Sequence, residues 1–204
     1  MFLIFLFPSF GYAEKVIVFL GDSLTAGYGL TEEEAYPFLI QEYLKKDGID
    51  WKVINAGISG DTTKGGLERL NWILKSSPAF VFLALGANDG LRGLKTEITQ
   101  KNLEEIIQTL KKSKINVVLS GMQLPINYGP EYRKAFKNIY PSLAKKHNLP
   151  FLPFLLEGVA SKTDLNLADG VHPNQKGQEI MAGNIYKFLK PILGERVSWE
   201  ERSL

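Results

Sequence analysis

The chain has 204 residues, 45% hydrophobic and 23% charged, enough for one globular domain with a sizeable core. A formal net charge of +2, with no basic cluster interleaved with aromatics, excludes nucleic acid as an expected partner. The absence of cysteine excludes a disulfide framework, a thiolate nucleophile, a cysteine zinc site and a lipidated cysteine, and leaves the redox compartment open.

The first segment, MFLIFLFPSFGYA at 1–13, is uncharged and mostly apolar. It is too short for a bilayer span, which takes about 20 residues. It ends in Gly11-Tyr12-Ala13, with small side chains at the two positions a signal peptidase reads. The expectation is a secretory signal removed after Ala13, although no Lys or Arg stands near its start. The mature protein then begins at Glu14, has no stable membrane anchor, and works in the periplasm or is secreted. An apolar amino-terminal strand or helix is the alternative.

From residue 14 onward, short apolar runs alternate with longer amphipathic segments. The runs are Val16–Leu20, Trp51–Asn55, Phe80–Leu85, Val117–Ser120 and Phe151–Phe154. Continuous runs, rather than strict alternation, predict strands covered on both faces. Between them, Thr31 and Glu34 have the spacing of a capping box, and Phe38, Leu39 and Leu44 follow on one predicted helix face. Leu67, Leu70 and Leu74 predict a second helix, and Leu103, Ile106, Ile107 and Leu110 a third. Tyr132, Phe136, Ile139, Tyr140 and Leu143 mark a fourth, and Ile180, Ile185, Phe188 and Leu189 the last. The alternation predicts a three-layer αβα domain on a parallel sheet, one domain over 14–193, with a polar tail at 194–204.

Right-handed crossovers place the loops after the strands on one sheet edge, where open sheets bind ligands. Those loops carry Gly21-Asp22-Ser23, then Asn55 to Asp61, then Gly86-Ala87-Asn88-Asp89, then Met122 to Pro125, and finally Asp169-Gly170-Val171-His172-Pro173. Of the two histidines, His147 ends a predicted helix and is expected to be structural. His172 lies three residues after Asp169. One turn lets that carboxylate accept from the imidazole Nδ1–H and leave Nε2 as a base, or else form a local surface pair. Ser23 needs such a base to become a nucleophile. The Ser23 N–H, the Gly60 N–H and the Asn88 amide are candidate oxyanion donors, although a turn role competes for Gly60 and Asn88 taken singly. Asp22 and Asp89 are assigned to structure. Leu91, Leu94, Leu124, Ile126 and Tyr128 are candidates for an apolar acyl trough, or for ordinary loop packing. The loop from Gly90 to Leu94 is a candidate flap over the substrate, or a helix-entry loop.

The blocks GDSLTAGYG, ISGDTT, GANDGLRG, LPINYG, YPSLAK and DGVHPN resemble the GDSL, or SGNH, hydrolases, and within them the thioesterase I/lysophospholipase L1 group of arylesterase-like enzymes. The name-giving residues match Ser23, Gly60, Asn88 and His172, with Asp169 as the acid. The resemblance implies a flavodoxin-like five-stranded sheet of order 2-1-3-4-5. It implies hydrolysis of esters or thioesters as small-molecule substrates, without metal or organic cofactor, and nothing in it demands more than a monomer. Thr25 stands where ordinary α/β-hydrolases close their Gly-x-Ser-x-Gly elbow, and Gln123 stands where the resemblance leads one to expect a basic residue. Alternatives are a deacetylase of acyl sugars and a non-catalytic lipid- or carbohydrate-binding module. A dinucleotide site does not fit the glycine spacing, and a single histidine beside Asp22 and Asp169 makes a poor metal site.

Overall fold

The computed structural model describes residues 15–200, with side chains to 194, so the expected signal segment lies outside the described residues. Five strands form one parallel sheet: β1 Val16–Gly21, β2 Lys52–Gly57, β3 Phe80–Ala84, β4 Asn116–Ser120 and β5 Phe151–Leu152. Their order is β2-β1-β3-β4-β5, as the resemblance implies. Eight α-helices accompany them among the described residues: α1 Ser23–Ala26, α2 Tyr36–Lys46, α3 Thr63–Glu68, α4 Leu70–Lys75, α5 Ala87–Leu91, α6 Thr96–Lys112, α7 Pro130–His147 and α8 Gln175–Glu200. The last takes in part of the segment read as a tail.

The helices pack in two groups, α2 against α8 and α3, α6 and α7 in a row. The apolar runs between them become the core because both faces of β1 and β3 are covered. Every residue of β1 and of β3 is buried. Phe19 on β1 packs against Phe82 on β3 and edge-on against Tyr36 of α2. The second run departs from the expected double burial. β2 is an edge strand, only Ala56 in it is fully buried, and it begins one residue late at Lys52.

Three helices differ from the sequence pattern. The Thr31–Glu34 capping box is real, but it closes a separate 3₁₀ turn, Glu32–Glu34. Pro37 has no N–H to give a carbonyl one turn back, so the chain passes through extended Ala35 and starts α2 afresh. The buried face of α2 is then Tyr36, Ile40 and Leu44, and Phe38 points outward. The predicted helix through Leu67, Leu70 and Leu74 is broken at Arg69 into α3 and α4. In α8 the buried stripe is Met181, Ala182, Ile185, Leu189 and Leu193, and Ile180 faces out.

α8 also locks the far ends of the chain together. Its Gln178, 1% exposed, accepts from the Tyr36 N–H at 2.9 Å and donates through Nε2 to the Leu24 carbonyl at 3.2 Å. His147, in the last turn of α7, meets Glu104 of α6 at 2.9 Å, the structural role expected of it. Among the described residues no helix is long and apolar enough to cross a membrane.

Candidate active site

β1 ends in Gly21, and Asp22 caps the short helix α1 by accepting from the Leu24 N–H at 3.0 Å. Ser23 is therefore the first residue of α1, at the tip of a central strand, with an N–H that has no intrahelical partner. The chain returns to this point only 149 residues later. The Ser23 hydroxyl donates to Nε2 of His172 at 2.9 Å. The His172 Nδ1–H donates to Oδ2 of Asp169 at 2.7 Å.

The other Asp169 oxygen accepts from the backbone N–H groups of Val171 at 2.8 Å and His172 at 2.9 Å. Those N–H bonds, the His172 one first, and then the imidazole hold the Asp169 carboxyl down to about 2. An ionised Asp169 fixes the proton on Nδ1, so Nε2 is left as an acceptor facing Ser23. Gly170, at φ 69°, makes the tight turn. The ring of Tyr28 covers the imidazole, centroid to centroid 4.4 Å. Sequence reasoning passed over Tyr28 because a lone aromatic between two turn glycines has no periodic signal.

The three candidate oxyanion donors arrive from three strands. Ser23 follows β1, Gly60 follows β2 and Asn88 lies in α5 after β3. Gly60 has φ +80°, and a Cβ there would meet nothing nearer than Arg92 Nη2 at 3.8 Å. Its glycine is thus required by backbone conformation, not by crowding. No hydrogen-bond partner takes its N–H among the described residues. Asn88 donates one amide hydrogen to the Asp61 carbonyl at 2.9 Å, which leaves the second for the cleft.

Beside these groups runs a cleft of about 430 Å³. Leu91, Leu124 and Ile126 line it, as expected, but Leu94 and Tyr128 do not. The Tyr128 hydroxyl donates to the Leu91 carbonyl at 2.9 Å and its ring packs on the core. Leu94 offers its carbonyl to the Tyr132 hydroxyl at 2.6 Å. With Arg92 Nη2 also donating to the Gly60 carbonyl at 2.9 Å, the Gly90–Leu94 loop is tied down at three points in this structure. Asp89 is fully buried and accepts from the Thr63 N–H at 2.8 Å, so its assignment to structure holds. Phe154, Leu156, Ala160 and Val171 also line the cleft; Phe154 closes the fifth apolar run and Val171 lies in the Asp169–His172 loop, whereas no pattern in the sequence singled out Leu156 or Ala160. Among the described residues no group of three or more His, Asp or Glu side chains is placed to hold a metal ion.

Asp22 is 1% exposed, and its Oδ2 has no hydrogen-bond partner. Burial pushes its carboxyl up to about 7 against the bond from Leu24. A raised carboxyl stabilises the fold fully below about pH 4, where both states are protonated. That stability is lost as pH rises towards 7, because the unfolded chain releases the proton first. The loss amounts to about 4 kcal/mol by neutral pH. Asp22→Asn keeps an oxygen for Leu24 and cannot ionise. Thermal denaturation against pH is expected to show the variant gaining on the parent from about pH 4 upward and levelling above about pH 7. A constant difference across that range would contradict it.

A serine, an imidazole and a carboxylate joined in line at the carboxyl edge of a doubly wound parallel sheet define the class: a serine hydrolase on a flavodoxin-like sheet. The model of the GDSL-like Lipase/Acylhydrolase family matches residues 19–180, and the chain belongs to that family. It is 40% identical over 182 residues to Esterase TesA of Pseudomonas aeruginosa, covering 89% of this chain and 90% of that one. It is 41% identical over 182 residues to Thioesterase 1/protease 1/lysophospholipase L1 of Escherichia coli strain K12, covering 89% and 86%. Among solved structures, the psychrotrophic esterase EstA from Pseudoalteromonas sp., inhibited by monoethylphosphonate, superposes with a TM-score of 0.84 at 35% identity, covering 88% of this chain and 99% of that one.

Proposed function

We propose that the chain is a serine esterase that hydrolyses carboxylic esters and acyl thioesters through an acyl-serine intermediate on Ser23. The observation that carries this reading is the unbroken line from Asp169 through His172 to the Ser23 hydroxyl. Ser23 Oγ attacks the carbonyl carbon as Nε2 of His172 takes its proton. The negative oxygen that develops is held by the N–H groups of Ser23 and Gly60 and the free amide hydrogen of Asn88. The imidazolium returns the proton to the departing alkoxide or thiolate. Water then attacks the acyl-serine with the same base, and Ser23 leaves with its proton restored.

The cleft, walled by Leu91, Leu124, Ile126, Phe154 and Leu156, supports an apolar acyl chain as the part of the substrate held. Triad and cleft are complete within one chain, which supports a monomer as the working unit. The apolar 1–13 segment, ending in Ala13, supports work outside the cytoplasm after its removal.

The test is turnover of p-nitrophenyl esters from acetate to palmitate in EDTA, with fluorophosphonate labelling followed by peptide mapping. The expected result is label on Ser23 and rates that rise with acyl length until the chain outgrows the cleft. Ligand binding with neither turnover nor label would instead assign a non-catalytic lipid- or carbohydrate-binding module.

A further inference from the structure

We infer that Arg69, paired with Asp61, is a positioning residue for the hydrolysis: a single ion pair sets the three oxyanion donors relative to one another. The inference rests on the reading of Ser23, Gly60 and Asn88 given above. Those donors follow three different strands, so no local hydrogen bond relates all of them.

Arg69 does. Its Nε donates to Asp61 Oδ2 at 2.7 Å, and its Nη2 donates to the Gly21 carbonyl at 3.0 Å. The two side chains are 16% and 9% exposed. The Gly21 carbonyl belongs to the peptide just before Asp22-Ser23, and it also accepts from the Ile58 N–H at 3.2 Å. Asp61 follows Gly60 directly. Its own N–H closes the turn around Gly60 by donating to the Ile58 carbonyl at 3.0 Å, and its carbonyl receives the Asn88 amide at 2.9 Å. One guanidinium thus reaches the Ser23 turn, the Gly60 turn and, through Asp61, Asn88.

Two local departures make room for it. The helix that apolar spacing predicts across 67–74 breaks at Arg69. Gly65 admits the Asp61 carboxylate, since a Cβ there would lie 1.9 Å from Asp61 Oδ1. The guanidinium fork spans a carboxylate and a carbonyl with two nitrogens, which a lysine ammonium on a single stem does not match.

The effect is large if the donors slip even slightly. A misplacement of about 1 Å costs on the order of 10²-fold, comparable with the loss of one oxyanion donor. Arg69→Met keeps much of the length and removes the charge and both donors. It is expected to lower kcat on a p-nitrophenyl ester by about 10- to 100-fold with KM within about threefold, because the acyl cleft is untouched. The rate of phosphonylation of Ser23 should fall in parallel, since it builds charge on an oxygen in the same hole. Arg69→Lys should fall between Met and the parent. Guanidinium ion should restore part of kcat to Arg69→Ala, and not to Arg69→Met, whose side chain fills the space.

Rates are compared per folded molecule, from circular dichroism at the assay temperature. If Arg69→Met does not fold, Asp61→Asn breaks the same pair from its other end and is expected to show the same split between kcat and KM. A folded variant of either kind with kcat and phosphonylation close to the parent's, or with only a lowered melting temperature, would overturn the inference. A parent protein that neither turns over esters nor is labelled at Ser23 would instead overturn the proposed function itself.

Discussion

Ser23→Ala is expected to lower kcat on a p-nitrophenyl ester by about 10⁴- to 10⁶-fold. The change removes one oxygen from a site where that oxygen has one partner, Nε2 of His172. Ser23 is 9% exposed, and alanine fits the same first position of α1 without a clash or a lost cap, because Asp22 supplies the cap. The melting temperature should therefore move little. The residual rate over water is informative too. The backbone N–H groups and Asn88 stay in place, so a bound ester remains polarised although no acyl-enzyme forms. Steady-state rates of both proteins, purified identically and assayed in EDTA, check this. A variant that keeps more than about a tenth of the parent rate would sink the nucleophile assignment.

Asp169→Asn is expected to cost about 10⁴-fold in kcat, although it changes hardly any volume. The reason is where each oxygen is used. Oδ1 takes two backbone N–H groups and Oδ2 takes the imidazole Nδ1–H. An amide has one oxygen. If it stays on the backbone donors, its NH₂ faces the ring and Nδ1 must become an acceptor. The proton then sits on Nε2, which donates to Ser23 instead of taking its proton. The lowered carboxyl of Asp169, about 2, also fixes the sign of its pH dependence. A depressed acid contributes stability above its unfolded value near 4, and that contribution is lost as pH falls through about 2. Asp169 therefore stays charged across the working range, and an acid limb in kcat/KM above about pH 3 does not come from it. Rate profiles of parent and variant against pH check both points. A variant within about tenfold of the parent would remove Asp169 from the mechanism.

What the sequence showed depended on how each feature writes itself into residues. Buried strands leave unbroken apolar runs, so all five strands were legible, although β2, at the sheet edge, is mostly half-covered rather than doubly buried and β5 keeps only Phe151–Leu152 of its run. The Asp169–His172 pair was legible because its bond is local. Its meeting with Ser23 was reached only through the common sheet edge and the family blocks. Leu94 and Tyr128 went astray because an apolar residue in a loop serves a cleft or a core equally well. Leu156 and Ala160 were passed over because they lie in turns without a period, and Phe154, expected to end the fifth strand, lies just beyond it and lines the cleft instead. The break at Arg69 overrides a good leucine spacing, and a half-buried ion pair to a loop eight residues back leaves no mark on hydrophobic periodicity.

The distance along the chain between nucleophile and base carries a consequence for timing. β1 and the Ser23 turn are made first and His172 nearly last, and Gln178 of α8, later still, binds the backbone after the nucleophile at Leu24 and Tyr36. A chain still emerging from the ribosome holds a serine without a base, chemically as inert as any other hydroxyl. Reactivity requires Asp169 and His172 to reach Ser23, so an ester assay during refolding is expected to report the meeting of these distant segments rather than the formation of β1 alone.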